Sequence, residues 1–251
     1  MIRTHHAPNE VLPRHKHAEA FAALVLSGHY AEAGDTGRHR VEPGDVLIHG
    51  PFESHIDRFD GEGAEVLVIA LPGAWSGPLL GRIADPDTVM RTAERDVPAA
   101  AGLIASEIVA KPHPASDWPD LLAQELRSNP GMAMRTWADR MGLHPGSISR
   151  GFRQVFGLTP AAFRLIARTH HAIGAIRSSR SPLCEIANVS GFADQAHMSR
   201  AVGKLAGMSP ARLRRMPTPS GAMVSVAVPE ASRTHIAGVA ARSSVAIAIS
   251  Y

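Results

Sequence analysis

Short apolar runs alternate with glycine-rich turns over the first third of the chain. The runs at 22–26, 46–48 and 64–69 are separated by seven glycines. Several short strands joined by such turns predict an antiparallel β-barrel or sandwich. The Gly-Asp-Thr-Gly segment at 34–37 lies between two strand-like stretches and predicts a hairpin tip.

The pattern becomes helical from about residue 85 onward. An aspartate and a proline at 85–86 predict the start of a helix that runs toward residue 95. Apolar residues at helical spacing predict a second helix over 98–110. A breaker-rich segment at 111–116 separates it from a third helix predicted over 117–128. Beyond residue 133 helix follows helix, so the predicted fold class is α+β.

These patterns divide the chain into four predicted parts. We expect a β-barrel domain over 1–84, a helical linker or dimerisation region over 85–130, an all-α domain over 131–216, and a tail over 217–251. The tail is low in charge and rich in Ala, Ser and Val, which predicts disorder. Its alternation at 224–228 would also suit a stray strand.

The all-α part contains an internal repeat, in which residues 138–164 correspond to 187–214 at a spacing of 49 to 50 residues. The matched segments are Ala138 to Gly142 with Ala187 to Gly191, Ser149-Arg150 with Ser199-Arg200, and 157–160 with 207–210. Each copy predicts a helix, a glycine turn and a second helix, which is the helix-turn-helix arrangement. In such a unit the second helix lies in the major groove of DNA.

The second helices are predicted over 145–156 and 195–205. Helical spacing assigns one side of each helix to the core, through Ile148, Phe152, Val155, Phe156, Met198, Val202 and Leu205. The DNA-facing residues are expected to be Ser149, Arg150, Arg153, Gln195, Ala196, His197, Ser199, Arg200 and Lys204. Arginine suits the acceptors of guanine and glutamine those of adenine, whereas Lys204 and the arginines at 212–215 suit phosphates.

The charge distribution favours a polyanionic partner for the same part of the chain. Residues 1–129 carry a net charge of −8, whereas residues 130–216 carry +10. A basic module joined to an acidic one is typical of proteins that bind nucleic acid through one part only. A helix predicted over 161–177 separates the two units. If their second helices lie about 34 Å apart on one face, they would enter successive major grooves.

The second unit contains three segments with a family resemblance, namely Glu185-Ile186-Ala187, the stretch GFADQAHMSR at 191–200, and GMSP at 207–210. With these residues, the C-terminal part resembles the AraC/XylS family of bacterial transcription regulators. The resemblance implies sequence-specific binding of double-stranded DNA, contact with the transcription machinery, and no enzymatic activity. The family usually has aromatic residues where Met198, Val202 and Ala206 stand. Gly203 within the helix costs about 1 kcal/mol relative to alanine.

The N-terminal part resembles the cupin-like sensor domain common in that family, through His15-Lys16-His17 and the stretches VLSG at 25–28, PGDVLI at 43–48 and PFESH at 51–55. The resemblance implies a barrel that binds a small-molecule effector. His15, His17 and His55 stand where metal-binding cupins place three imidazoles, and we expect them to line the effector pocket.

A metal ion at these three histidines is the less favoured alternative. The carboxylate that metal-binding cupins add would fall near Phe21 or Ala22, and only Glu19 lies close. We therefore expect no cofactor. The rival hypothesis is a cupin enzyme that uses iron or manganese and carries an accessory helical domain. The histidines at 5, 6, 29, 39, 49 and 113 lack the spacing of ligands, so surface or hydrogen-bonded positions are expected for them.

The helix predicted over 98–110 has two interpretations. It would pair with its counterpart in another chain, as the family resemblance favours, or pack on its own barrel. A homodimer formed in this way would bind repeated half-sites. No apolar run reaches about 18 residues, the first twenty residues contain no apolar signal stretch, and Cys184 is the single cysteine. These features predict a cytoplasmic protein without a membrane segment.

Overall fold

The computed structural model describes residues 1–72, 75–112, 117–129 and 131–216. The predictions for the tail over 217–251, and for part of the segment at 111–116, lie outside the described residues. Every described strand precedes residue 111, and the described elements from residue 118 onward are all helices. The predicted α+β fold class is confirmed.

The described strands form one antiparallel sheet. They are β1 Ile2–His6, β2 Val11–Lys16, β3 Phe21–Gly34, β4 Gly37–Val41, β5 Asp45–His49, β6 Ser54–Ala70, β7 Leu80–Arg82 and β8 Val109–Ala110. The order is β1-β6-β3-β5-β7-β8, with β2 also paired to β6 and β4 to β3. The three predicted apolar strands are confirmed within β3, β5 and β6, and the predicted hairpin tip joins β3 to β4.

The long strands β3 and β6 are shared between two halves of the sheet. They pair along their lengths, with two register shifts close to Gly28. Such bulges bend and twist a strand, so that β5 pairs with the first half of β3 and β4 with the second. Gly28 has φ +71°, and a Cβ at this position would collide with the backbone of Gly63. Only glycine therefore fits where the two strands approach.

The sheet has one face covered by helices and an inner face. Ala22 and Leu24 of β3 pack against α1 (Pro86–Ala93) and α2 (Val97–Glu107). The neighbouring positions on β3 point the other way, as strand alternation requires. The inner face carries Phe21, Ala23, Val25, Tyr30, Val41, Phe59 and Val66.

Helix α2 packs on the sheet of its own chain, which is the second of the two interpretations of this segment. Ala100, Ala101 and Ile104 are buried in the core that the sheet shares with α1 and α2. The helix ends at Glu107, earlier than predicted, because Ile108 adopts an extended conformation and the next two residues pair with β7 as β8. The apolar side of α2 is thereby covered within one chain, and a homodimer stays a prediction.

The C-terminal part consists of helices in the described residues: α3 Trp118–Ser128, α4 Met134–Met141, α5 Pro145–Phe156, α6 Pro160–Ser178, α7 Leu183–Val189, α8 Gln195–Ala206 and α9 Pro210–Arg215. The predicted pairs α4–α5 and α7–α8 are both present, with α6 between them. Each pair has its own core, because α3 completes the first and α9 the second. Phe52, with φ +67°, extends from the sheet into the second core.

Candidate nucleic-acid interface and inner histidine cluster

The reading helices, defined as α5 and α8, begin at well-formed caps. His144 accepts a hydrogen bond from the backbone of Gly146 through Nδ1 at 3.1 Å, and Pro145 occupies the first turn of α5. Asp194 caps α8 by accepting from the backbone of His197 at 2.6 Å. Each cap fixes the direction in which its helix leaves the turn. Both helices end at a glycine in the left-handed conformation.

The side chains predicted to face DNA lie on the outer sides of both reading helices. Exposed positions are Ser149, Arg150 and Arg153 in α5 and Gln195, Ala196, Arg200 and Lys204 in α8. His197 and Ser199 are half-buried, and the His197 ring packs edge-on against Phe192 at 5.2 Å between ring centroids. The opposite sides are buried through Ile148, Phe152, Phe156, Met198, Val202 and Ala206.

The C-terminal ends of both reading helices are bound by cations of the sheet. Arg14 donates to the carbonyl of Phe156 at 3.0 Å, and Lys16 donates to that of Leu205 at 2.6 Å. Arg58 donates to the carbonyls of Gln154 and Val155 at 2.9 and 3.2 Å. Carbonyls in the last turn of a helix lack intrahelical partners, and positive charge is favourable there. The sheet therefore holds α5 and α8 by their ends and leaves their first turns exposed.

Asp35, at the β3–β4 hairpin tip, organises this contact. It pairs with Arg14 and accepts hydrogen bonds from the backbone and hydroxyl of Ser54 at 2.9 and 3.1 Å. It also lies 3.1 Å from Nε2 of His170 on α6. The buried Asp35 carboxylate thus connects the hairpin tip, β2, β6 and the helix between the two units.

Of the basic residues predicted for phosphate contact, Lys204 lies on α8 and the three arginines lie on α9. Arg212 and Arg215 are exposed, whereas Arg214 donates to the carbonyl of Ser181 at 2.8 Å. Arg164 on α6 has two buried guanidinium nitrogens without a hydrogen-bond partner among the described residues. Burial lowers the pKa of Arg164, as does the neighbouring charge of Arg168.

The inner histidine cluster, defined as His15, His17, His49 and His55, lies between β2, β5 and β6 on the inner face. The structure brings together the three histidines of the predicted effector pocket, with one nitrogen of each within 4.8 Å of the others. His15 is the cross-strand neighbour of His55. An extra residue in β2 between Leu12 and His15 forms a bulge at Pro13 and Arg14. With this bulge, Arg14 and Lys16 reach the reading helices, while His15 and His17 face the cluster.

Three buried residues of the inner site were not assigned to it from sequence. His49 was expected on the surface or in a hydrogen bond, not in the site. The hydrogen-bonded position is confirmed, because the buried His49 has Nδ1 3.2 Å from Nδ1 of His55. The carboxylate that was missing near Phe21 is supplied by Glu32, whose Oε2 lies 3.4 Å from Nε2 of His49. The buried acid Asp57 lies 3.7 Å from Nε2 of His55.

Burial governs ionisation in this cluster. It lowers the pKa of His49 to about 3 and that of His55 to about 2, because charging a desolvated imidazole is unfavourable and the neighbouring histidines add repulsion. Burial raises the pKa of Asp57 to about 7 and that of Glu32 well above its usual range. The imidazoles of His49 and His55 are therefore neutral near pH 7, with lone pairs available to a proton donor or a cation.

Among the described helices, none combines the length and apolar content needed to cross a membrane. A comparison with curated protein sequences gave no match.

Solved structures match over part or most of the chain at low similarity. The C-terminal domain of AraT, a response regulator from Geobacillus stearothermophilus, matches with a TM-score of 0.38 and 22% identity over 49% of this chain and 100% of its own. The C-terminal domain of the response regulator yesN from Fusobacterium nucleatum gives 0.36 and 20% over 39% and 99%. Unsaturated fatty acid bound ToxT from Vibrio cholerae gives 0.38 and 10% over 86% and 94%.

Residues 137–216 match a family described as a helix-turn-helix domain. This segment begins in α4 and ends just after α9, so it contains both helix pairs and the helix between them. Its sequence repeat, its paired helices and this match agree. The chain therefore contains, at residues 137–216, an AraC-type helix-turn-helix domain, the class of domain with which transcription regulators bind DNA.

Proposed function

We propose that this protein is a sequence-specific DNA-binding transcription regulator, controlled by a small effector that binds on the inner face of its N-terminal sheet. The observation that carries the proposal is the matched presentation of α5 and α8. Both helices expose their first turns and have their C-terminal ends bound to one sheet. Helix-turn-helix units read bases with residues near the start of the second helix.

Base contacts are assigned to the exposed positions of the two reading helices. Arg150 and Arg200 occupy equivalent places in the repeat and suit the paired acceptors of guanine, while Gln195 suits adenine. Lys204, Arg212 and Arg215 suit phosphates, which supply affinity without sequence preference. The half-buried His197 and Ser199 are assigned to the edge of the interface.

Effector binding is proposed at the inner histidine cluster because β2 connects it to the reading helices. His15 and His17 belong to the cluster. Arg14 and Lys16, which flank His15 in the sequence, donate to the ends of α5 and α8. A ligand that moved the histidines would move both cations with them. A homodimer, a cytoplasmic location and contact with the transcription machinery complete the proposal.

The test is selection of bound fragments from random duplex DNA, followed by affinity measurements on the selected sequence. Arg150→Ala and Arg200→Ala are each expected to weaken binding by about 5- to 150-fold, the range for loss of one bidentate base contact, and to relax preference at different positions. Arg95→Ala, an exposed arginine on the far side of the sheet, is the control and should bind as the wild type does. Unchanged affinity and preference in both test variants would refute the proposed reading helices.

A further inference from the structure

Three metal-ligating side chains converge at the buried end of the inner histidine cluster. Glu32, His49 and His55 each offer one ligand atom, and these atoms lie within 4.8 Å of one another. Oε2 of Glu32 is 3.4 Å from Nε2 of His49, and Oε1 is 3.7 Å from Nδ1 of His55. All three side chains are at most 5% exposed. Below, they are called the buried triad.

The hydrogen-bond pattern leaves a lone pair pointing at the carboxylate. We assign His15 Nδ1–H as the donor to the Pro13 carbonyl at 3.0 Å, so that Nε2 of His15 accepts from Nε2–H of His55 at 3.0 Å. Nδ1 of His55 then accepts from Nδ1–H of His49 at 3.2 Å, a hydrogen bond that an ion on Nδ1 of His55 would replace. Nε2 of His49 consequently carries a lone pair, and it has no hydrogen-bond partner among the described residues.

The distances in the buried triad suit one shared cation better than a hydrogen bond. A hydroxyl or carboxyl group that donates to nitrogen lies about 2.7–2.9 Å away, which is shorter than the gap between Glu32 and His49. Ligand atoms about 2.0–2.1 Å from a tetrahedral zinc ion lie about 3.4 Å apart, which matches the separation of Glu32 from His49 and is slightly less than that of Glu32 from His55. Two imidazoles with one carboxylate also form a donor set that holds zinc in other proteins.

We propose that Glu32, His49 and His55 bind one divalent transition-metal ion of the zinc class, and that this ion is the effector. The inference rests on the proposed function, because it names the ligand for the regulatory site. Two nitrogens and one carboxylate oxygen favour zinc, cobalt or nickel over magnesium and calcium, which prefer oxygen ligands throughout.

The other histidines supply outer contacts to this site. The trio predicted from sequence uses Nε2 of His55, whereas the buried triad uses Nδ1, so one imidazole cannot serve a single ion in both ways. His15 and His17 are also more exposed than the buried triad. With the metal on Nδ1, His55 donates from Nε2 to His15, which is how ligating histidines are usually oriented by a second group.

The same contact connects the ion to the reading helices. His15 lies between Arg14 and Lys16 on β2, and these cations bind the ends of α5 and α8. Fixing the His55 ring would fix His15 and the strand that carries it. Metal binding and DNA binding are therefore coupled through one short strand.

The test uses the full chain, freed of metal with a chelator and dialysed. Titration with Co²⁺ alone should give the visible absorption of a tetrahedral site at one ion per chain, and Zn²⁺ should displace the Co²⁺. Glu32→Gln and His49→Gln should each weaken Zn²⁺ binding by about 100-fold or more, because each removes a ligand. His29→Gln, on β3 but outside the cluster, should bind Zn²⁺ as the wild type does.

Three results would overturn the proposal. They are the absence of stoichiometric metal binding by folded protein, retention of wild-type affinity by Glu32→Gln, and loss of binding in His17→Gln without loss in Glu32→Gln. Thermal unfolding of each variant establishes that it is folded. If a variant fails to fold, X-ray absorption by Zn²⁺ bound to the wild type reports the ligand set, and a set of three imidazoles without a carboxylate overturns the proposal.

DNA binding distinguishes this proposal from the proposed function. Duplex affinity is measured with and without Zn²⁺ on wild type and Glu32→Gln. An affinity change of about fivefold or more, seen in wild type and lost in the variant, supports the ion as effector. Metal binding without any change in DNA affinity overturns the effector role. DNA binding without metal binding overturns the inference and leaves the proposed function standing.

Discussion

The buried ion pair of Arg14 and Asp35 holds the sheet and the helices together. The side chain of Asp35 is 4% exposed and that of Arg14 is 15% exposed, so each neutralises the other where water is largely excluded. Arg14 also donates to the carbonyl of Phe156. The Asp35 carboxylate lies within hydrogen-bond distance of Nε2 of His170. Removal of one member of such a pair leaves the other charge uncompensated, which costs more than the pair contributes.

Asp35→Ala is therefore expected to lower the free energy of unfolding by about 3–5 kcal/mol, because Arg14 and Ser54 lose their shared acceptor. Asp35→Asn keeps an acceptor and should cost less. Asp60→Ala is the matched control, since Asp60 pairs with the exposed Arg40, and such surface pairs contribute about 0–1 kcal/mol. Urea denaturation measures all three, and an equal effect of Asp35→Ala and Asp60→Ala would contradict the role given to Asp35.

Most of the helices and strands could be predicted from local sequence, whereas the composition of the inner site could not. Helical spacing and the glycine turns predicted the bounds of α5 and α8 to within one residue. Glu32 was missed because the carboxylate was sought near Phe21 and Ala22, at the start of β3. The alternation of β3 would not have found it either, because the bulges near Gly28 change that alternation. Odd positions such as Phe21 face inward before the bulges, and even positions such as Tyr30 face inward after them. Counting by two along the strand therefore places Glu32 on the wrong face.

Helix α8 contains a glycine that lowers its stability. A Cβ at Gly203 would meet no atom within 4 Å, and the backbone there is helical. Gly203→Ala should raise the free energy of unfolding by about 0.5–1 kcal/mol, through lower backbone entropy in the unfolded chain.

Gly151→Ala in α5 is the control, because a Cβ there would collide with the ring of Trp118. This variant should gain nothing or lose stability when both are compared by thermal unfolding. A larger gain at Gly151 than at Gly203 would mean that α3 is not packed against α5 as described.

At the scale of the whole molecule, one sheet sets the relation between two reading helices. Arg58 donates to the end of α5 and Lys16 to the end of α8. These two contacts and the connecting helix α6 therefore all fix the position of one reading helix relative to the other. The charges of the chain are divided between the same two parts, the sheet and the helical domain. The acidic N-terminal part supplies a few cations at the contact, and the basic C-terminal part carries a net charge of +10, which favours a polyanionic partner.

The double variant of Lys16→Gln and Arg58→Gln should tolerate half-site spacings that the wild type rejects. Each lost contact is worth about 1 kcal/mol at a partly exposed site, so discrimination between the best spacing and a spacing changed by one or two base pairs should fall about fivefold per contact. Binding to duplexes of graded spacing measures this. Arg40→Gln is the control and should keep the wild-type preference, because its partner Asp60 is within the sheet. The wild-type preference in the double variant would contradict the proposed role of the sheet in holding the two reading helices.

The bulge at Pro13 determines which side chains of β2 face the reading helices and which face the inner histidine cluster. Proline has no backbone N–H to contribute to a strand ladder, so the unpaired residue is most easily accommodated at this point. If the extra residue were absorbed beyond His17 instead, Arg14 and Lys16 would turn inward and the histidines outward. A shift of β2 by a single residue would therefore remove two of the four imidazoles from the cluster, and it would leave Arg58 as the remaining cation of the sheet at the end of α5, with none among the described residues at the end of α8.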